Sequence, residues 1–549
     1  MSITRTGRFS TAARDENARH RSRFSVIFWF GLSLCFAVGY SIVALLPALN
    51  SEYIVGGEAR KYLFWMYRFL GPQLFPHDLI ADYFQSVTPT GYAALHHLMA
   101  SFGVTPLVVS KFLPIILAII TTSYAFAVSL QILPIPIAGF ISTLLLNQTL
   151  WMQELMSDTP RGFLCPLFFA FLYYLLKRSP LPCLIAIALQ SLFFPLTALI
   201  SSGILLLRLF DWQGRIRLSP RRDDFVFCIL GICVALLAFL PYILASSASW
   251  ATVAALDSGD NGISAWQCPP QLSIGLLLPI ALRFPASFPL ARQVKNTVQI
   301  LCQIVLASLF MFFAAQEMFE LNFPSAYTFH FLQIVLALAS GITLTLILDA
   351  VFNWSERRSK PYLRARQFFA LFSAVVVVVA LIFYPYSSPV FPKTQYVEGK
   401  VGKLYQFLQQ QPKASLIASL TDETDNLPIF AKRSILAGKA YALPPGTKYY
   451  VQSHERVSDL INAQYTLDPK QIKNIIYKYG ISFWLLERDA FKPKYINDST
   501  WIKQYQPAAN KALANLQSKA KPALMKLMKL CKVYDAKGLV LLSAKCLEK

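Results

Sequence analysis

Four acidic side chains lie where carboxylates need a reason to be. Glu58, Asp78 and Asp82 fall in one stretch after the first long apolar run, and Asp158 sits between two later runs. Ionisable groups at membrane depth are costly to hold and are functional by default. Glu58 and Asp158 abut apolar segments in different loops, and Arg161 follows in Ser157-Asp158-Thr159-Pro160-Arg161-Gly162. If both loops face one side, two carboxylates and a guanidinium can share a cavity suited to proton uptake beside an anion. Each acid also has a plainer role. Asp158 can cap a helix with Pro160 in its first turn, and Glu58 can interact with a helix dipole.

Three further groups invite the same question. Tyr327 and His330, in Pro324-Ser325-Ala326-Tyr327-Thr328-Phe329-His330, are either interfacial anchors at a helix start or polar groups facing a ligand. Trp266 belongs to an aromatic belt or offers a stacking face. The run Asp422-Glu423-Thr424-Asp425 reads as a solvated loop or as an acceptor-binding edge.

The elements that must position these residues follow from composition. The chain has 549 residues, of which 55% are hydrophobic and 15% charged, and a mean hydropathy of +0.45. That is a polytopic membrane protein, since a crossing helix needs about 20 apolar residues. A net charge of +22 raises the question of nucleic acid. The basic residues instead crowd short loops beside the apolar runs, and no recognised nucleic-acid motif accompanies them.

The first apolar run, residues 25–49, follows Arg14, Arg19, Arg21 and Arg23, which places the basic arm of residues 1–24 in the cytoplasm. The run is too long for a cleaved signal peptide, and no small-residue cleavage site follows it. Further spans are expected near 104–128, 134–152, 162–177, 225–246, 272–290, 297–318, 328–352 and 367–386. The stretch 181–207 is broken at Phe194-Pro195 and reads as two short helices. About eleven crossings result, with every dense basic loop on one side and the tail on the other. The loop of residues 50–103 then faces outward. Period-3.6 spacing puts Tyr62, Trp65, Met66 and Phe69 on one helical face, as in an amphipathic helix lying among lipid headgroups.

Residues 388–549 change to a Lys-rich, soluble-looking composition and read as an α/β domain outside the membrane. Helical periodicity runs from Val397 to Gln411, and strands are expected at 415–420 and 481–486. A helix opens at Asp468-Pro469 and stops at Gly480. A terminal hairpin turns at Ala536-Lys537-Gly538. Cys531 and Cys546 bracket it, and are either two free thiols or a disulfide permitted by an oxidising compartment.

The order of these features resembles the C-type superfamily of membrane glycosyltransferases (GT-C). A span is followed by an outward loop with an acid right after it and a Phe-Pro-His-Asp-Leu-Ile-Ala-Asp-Tyr-Phe stretch; a second short outward loop carries Asp-Thr-Pro-Arg, and an outward α/β domain ends the chain. The resemblance implies a plasma-membrane enzyme moving a sugar from a polyprenyl-phosphate donor to an envelope acceptor, whether lipid, glycan or protein. It also implies membrane lipid as a partner, and no nucleic acid. In that superfamily an acid of the first outward loop is usually catalytic, and one of the second often assists or binds metal. Glu58 matches the first position and Asp158 the second, with Asp78 and Asp82 as additional first-loop acids near substrate. The first position is more often aspartate, and here it is Glu58 preceded by Gly57. A divalent cation, Mg or Mn, would be held by Glu58 and Asp158 if one is used. Arg161, or the pair Tyr327 and His330, would meet the donor phosphate, and Trp266 would stack on the sugar.

Two other classes remain open. A transporter or flippase of lipid-linked saccharide needs no acid at Glu58, but many such proteins carry internal repeats, and no obvious one is present here. A non-catalytic envelope-binding membrane protein would use only its tail.

Overall fold

The computed structural model describes residues 6–149, 155–211, 217–218, 222–244, 270–318, 324–356, 363–387, 396–443, 447–518 and 520–548. Packing divides the chain into two units. The first comprises Met1–Leu46, Phe112–Leu244 and Asp257–Thr394, and the described residues of the second fall in Pro47–Lys111 and Gln395–Lys549. Trp266 and the loop around it lie outside the described residues.

The first unit is helical. Among the described residues, five helices are long and apolar enough to cross a membrane: Arg23–Leu49, Pro106–Ile132, Asn296–Phe313, His330–Ser355 and Arg364–Tyr384. The expected eleven crossings are not confirmed by this set. Proline at the first turn of Pro136–Asn147, Pro180–Phe193 and Pro195–Arg208 helps hold these apolar helices to 14 residues or fewer. At 1.5 Å per residue that is about 21 Å at most, short of a hydrocarbon core of about 30 Å. The break at Phe194-Pro195 falls where the proline signal places it.

Helix Pro324–Glu356 forms the centre of this unit. Its most apolar window is 83% buried, against 11% for Arg364–Tyr384, whose apolar side chains therefore suit lipid. A Cβ at Gly341 would meet the backbone of Ser142 at 2.6 Å, so only glycine permits helix Pro136–Asn147 to approach this closely. The expected span at 272–290 is instead a 3-10 turn, Pro270–Leu277, followed by the short helix Leu278–Arg283. Irregular backbone at such depth must be satisfied by protein. Ser340 does so, its Oγ donating to the Leu272 carbonyl at 2.8 Å and accepting from the Gly275 amide at 2.9 Å.

The second unit joins the first loop to the tail. Strand β1 (Ile54–Gly56) pairs antiparallel with β2 (Tyr396–Glu398). The helical period expected from Val397 onward is therefore delayed to Gly402–Gln409, because the partner strand lies far earlier in the chain. Beyond it, β3 (Leu416–Ser419), β4 (Ser434–Ile435), β5 (Ile481–Glu487), β6 (Lys532–Ala536) and β7 (Leu539–Ser543) form one sheet in the order β4-β3-β5-β7-β6. The β3–β4 and β3–β5 pairs are parallel, whereas β7 is antiparallel to both neighbours. Asp468 caps Pro469–Tyr479 by accepting from the Lys470 amide at 2.9 Å, and Gly480 ends that helix at φ +68°. The core gathers Leu460, Ile461, Ile472, Trp484 and Leu542, with the Trp484 indole donating to Gln464 at 3.2 Å.

Cys531 and Cys546 are joined by a disulfide. It closes a loop of 15 residues, and on the chain-entropy model its loss costs about 3 kcal/mol. Cys531→Ser is expected to lower the urea midpoint of the tail to that of the reduced wild type, as intrinsic fluorescence would report.

The first loop is not a one-sided surface helix. Residues Ala59–Leu63 are α-helical and Phe64–Phe69 form a 3-10 segment. Tyr62, Leu63, Phe64, Trp65, Met66 and Tyr67 are all buried. Phe64 packs edge-on against Phe75, Phe84 and Tyr441 with ring centroids 5.3–6.3 Å apart, and Tyr83 stacks on Tyr449 at 4.1 Å. Tail aromatics cover the faces that periodicity left to water and lipid.

Candidate active site

Glu58 occupies the N-cap position of Ala59–Leu63 but makes no side-chain capping bond. Its carboxylate instead accepts from the Lys61 ammonium at 2.8 Å and is 36% exposed, so an acid sits at the loop surface with a cation against it. The same turn carries Arg60, which sequence reasoning passed over. Arg60 points inward, its Nη2 3.7 Å from Asp425 Oδ2 and its Nη1 donating to Asn426 Oδ1 at 3.0 Å. Asp425 also accepts from the Ala440 amide at 2.9 Å. Burial pushes the Asp425 carboxyl up to about 6, with Arg60 opposing the shift. The acidic run is thus divided: Asp425 is interior while Asp422 stays in solvent. The signal for Arg60 was its position beside Glu58; its partner was hidden among four acidic or polar residues of the tail.

The other first-loop acids serve the loop itself. Asp78 is buried and caps Leu79–Val87, accepting from the amides of Ile80 at 2.8 Å and Ala81 at 2.9 Å. Burial raises its carboxyl above the ordinary value, with Ser434 and the two amides opposing. Asp82, one turn on, holds Arg68 at 2.7 Å, and Arg68 also donates to the Phe75 carbonyl at 2.5 Å.

In the first unit, Asp158 does not take the capping role. Thr159 stands at the N-cap of the 3-10 turn Pro160–Phe163, while Asp158 is 3% exposed and adopts a left-handed backbone at φ +49°. Aspartate tolerates that region better than most residues, and a strained residue maintained by its surroundings motivates a functional hypothesis. Arg161 lies within the turn that follows. Tyr327 and His330 fall in the first two turns of Pro324–Glu356, and His330 is half-buried. Glu58 belongs to the second unit and Asp158, Arg161 and His330 to the first. Among the described residues no three His, Cys, Asp or Glu side chains converge as a metal site.

No family model matches the chain, and no curated protein sequence does. Solved structures do match its fold. The archaeal oligosaccharyltransferase AglB from Archaeoglobus fulgidus, in complex with an inhibitory peptide and a dolichol-phosphate, aligns with a TM-score of 0.54 at 13% identity, covering 88% of this chain and 72% of its own. The apo form of the A. fulgidus oligosaccharyltransferase gives 0.53 at 12% identity with the same coverage. The arabinofuranosyltransferase AftD from Mycobacteria aligns at 0.47 and 13% identity, over 84% of this chain and 36% of its own. At such identities what is shared is the fold.

Proposed function

We propose that the protein is a membrane glycosyltransferase taking a sugar from a polyprenyl-phosphate donor and passing it to an envelope acceptor on the outer face of the plasma membrane. The observation that carries this reading is the fold shared over 88% of the chain with an oligosaccharyltransferase whose structure holds a dolichol-phosphate. The distribution of arginines supports the orientation, with the N-terminal arm cytoplasmic and the tail outside; the disulfide of the tail suits that side.

In this reading Glu58 and Asp158 are the two acids that serve the transfer. As the acceptor oxygen bonds to the anomeric carbon, its proton passes to a carboxylate, for which Glu58 is the candidate. The bond from that carbon to the phosphate oxygen breaks, and the lipid phosphate leaves with the electron pair. Charge grows on the phosphate, and Arg161, or the pair Tyr327 and His330, are the candidates to stabilise it. Asp158 assists by orienting the acceptor or its proton. The surface position of Glu58 beside Lys61 supports the base role, since the carboxylate is neither buried nor spent on a cap.

The test is transfer of label from a polyprenyl-phosphate sugar by the purified, reconstituted chain, with Glu58→Gln and Asp158→Asn beside it. Product from the unmutated protein and its loss in both variants is expected. Equal product from all three would remove both assigned roles. No product from any would favour transport of a lipid-linked saccharide.

A further inference from the structure

A cleft of about 800 Å³ opens in the second unit at the carboxyl ends of β3 and β5, within the usual size of ligand sites. Strand β3 lies between β4 and β5, and the chain leaves it first to one side and then to the other. In open α/β sheets a crevice at such a switch point, beyond the carboxyl ends of parallel strands, is where ligands bind. None of the residues assigned to glycosyl transfer above lines it.

The lining sets carboxylates against cations. Asp422 and Glu423 follow β3, Glu487 ends β5 and Asp489 comes just after it, while Lys400, Arg488 and Lys537 supply positive charge. Several of these groups are fixed by neighbours. The Tyr405 hydroxyl and the Asn426 amide donate to Glu423, Arg488 holds Asp535 at 2.6 Å, and Lys537 donates to the Lys400 carbonyl at 2.7 Å. Others keep their faces open to solvent. Asp422 is 87% exposed, with Lys439 no nearer than 3.9 Å, and Asp489 is 68% exposed beside Lys492. Glu487 is drawn upward in pKa by burial and by the fields of Asp422, Asp489 and Glu423. Such a wall disfavours an anionic ligand and gains from one that donates hydrogen bonds while adding no negative charge.

We propose that this cleft docks a neutral saccharide chain, whose hydroxyls donate to Asp422, Glu487 and Asp489 and whose oxygens accept from Lys400 and Arg488. Paired hydroxyls on a sugar ring match the two oxygens of a carboxylate, and an open, charged cleft suits an extended hydrophilic chain. As the hold for an acceptor glycan, the site rests on the glycosyltransferase reading; as a saccharide site it stands on the cleft alone.

The test is retention of the full-length protein, in lipid nanodiscs, on an array of defined neutral oligosaccharides, with the Asp422→Asn/Asp489→Asn double variant alongside. Both positions are largely exposed, so the fold is unaffected, and matching thermal melts would establish this. A subset of saccharides should retain the wild type, and affinity for these should fall about tenfold or more in the variant, as expected for lost hydrogen bonds to charged groups. No retained saccharide, equal retention by both proteins, or binding confined to a polyamine such as spermine would overturn the proposal. Binding is read without donor lipid. Saccharide retention in a preparation that transfers no sugar would count against the glycosyltransferase reading and leave the cleft assignment standing.

Discussion

Glu58→Gln is expected to lower the rate of sugar transfer by about 10²–10⁴-fold, the range typical of a lost general base. The fold should hardly notice. Glu58 is partly exposed and, among the described residues, its side chain bonds only to Lys61, and exposed pairs of this kind contribute about 0–1 kcal/mol. Glutamine keeps the length of the side chain and an oxygen that Lys61 can still reach, so the substitution removes charge and basicity while sparing shape. A base acts only as the proton moves, so kcat and kcat/KM should fall together with KM little changed. A residue that merely favours the helix dipole would behave the other way, with a small loss of melting temperature and unchanged turnover. Asp158→Asn makes the companion experiment. Asparagine also tolerates the left-handed backbone observed at Asp158, so a fall in transfer there reports the missing charge and not a strained turn. Turnover of Glu58→Gln within threefold of wild type would end its assignment as the base, since about tenfold corresponds to only 1.4 kcal/mol.

What could be read from the chain beforehand was whatever is set locally. The break at Phe194-Pro195 follows from a proline that cannot continue a helix. The helix Pro469–Tyr479 follows from an aspartate, a proline and a glycine within a dozen positions. Where pairing is distant, local signals pointed elsewhere. Tyr396–Glu398 looked like the start of a helix because its partner, Ile54–Gly56, is the first loop. The same separation misled the reading of the first loop as a helix with one apolar face; Tyr441 and Phe84 bury Phe64, and the Lys432 ammonium sits 4.6 Å from the Tyr67 ring centre. At Asp158 the Asp-Thr-Pro order fits a cap on either of the first two residues, and Thr159 holds the position. The candidate site shows the same division. Acids beside apolar runs could be found by type and place, but Arg60 gave no sign that it reaches inward to Asp425 rather than outward to water.

That buried contact carries the largest expected effect on stability. Arg60 and Asp425 are 13% and 6% exposed, and breaking one side of a buried pair typically costs about 3–5 kcal/mol because a charge is left without its partner. Arg60→Ala should therefore destabilise the second unit by about that amount near neutral pH. The cost should depend on pH in a definite direction. Burial holds the Asp425 carboxyl at about 6, above its ordinary 3.8, so between these values the folded protein binds more protons than the unfolded chain. Stability from this group is fully present below about pH 4 and falls as pH rises through 6, by on the order of 3 kcal/mol if the whole shift is expressed. Without Arg60 the carboxyl moves higher still, so the gap between variant and wild type should be small at pH 4.5 and widest above pH 7. Asp425→Asn, alone and combined with Arg60→Ala, completes a cycle in which the coupling appears as non-additivity. Hydrogen exchange of the amides in Lys448–Gln464, within the tail, can follow all four proteins across pH. A pH-independent gap would show that Arg60 acts through packing or through Asn426 alone. If the gap closes in acid as expected, the ion pair anchors the turn that bears Glu58, and transfer by Arg60→Ala should weaken most where that pair is charged.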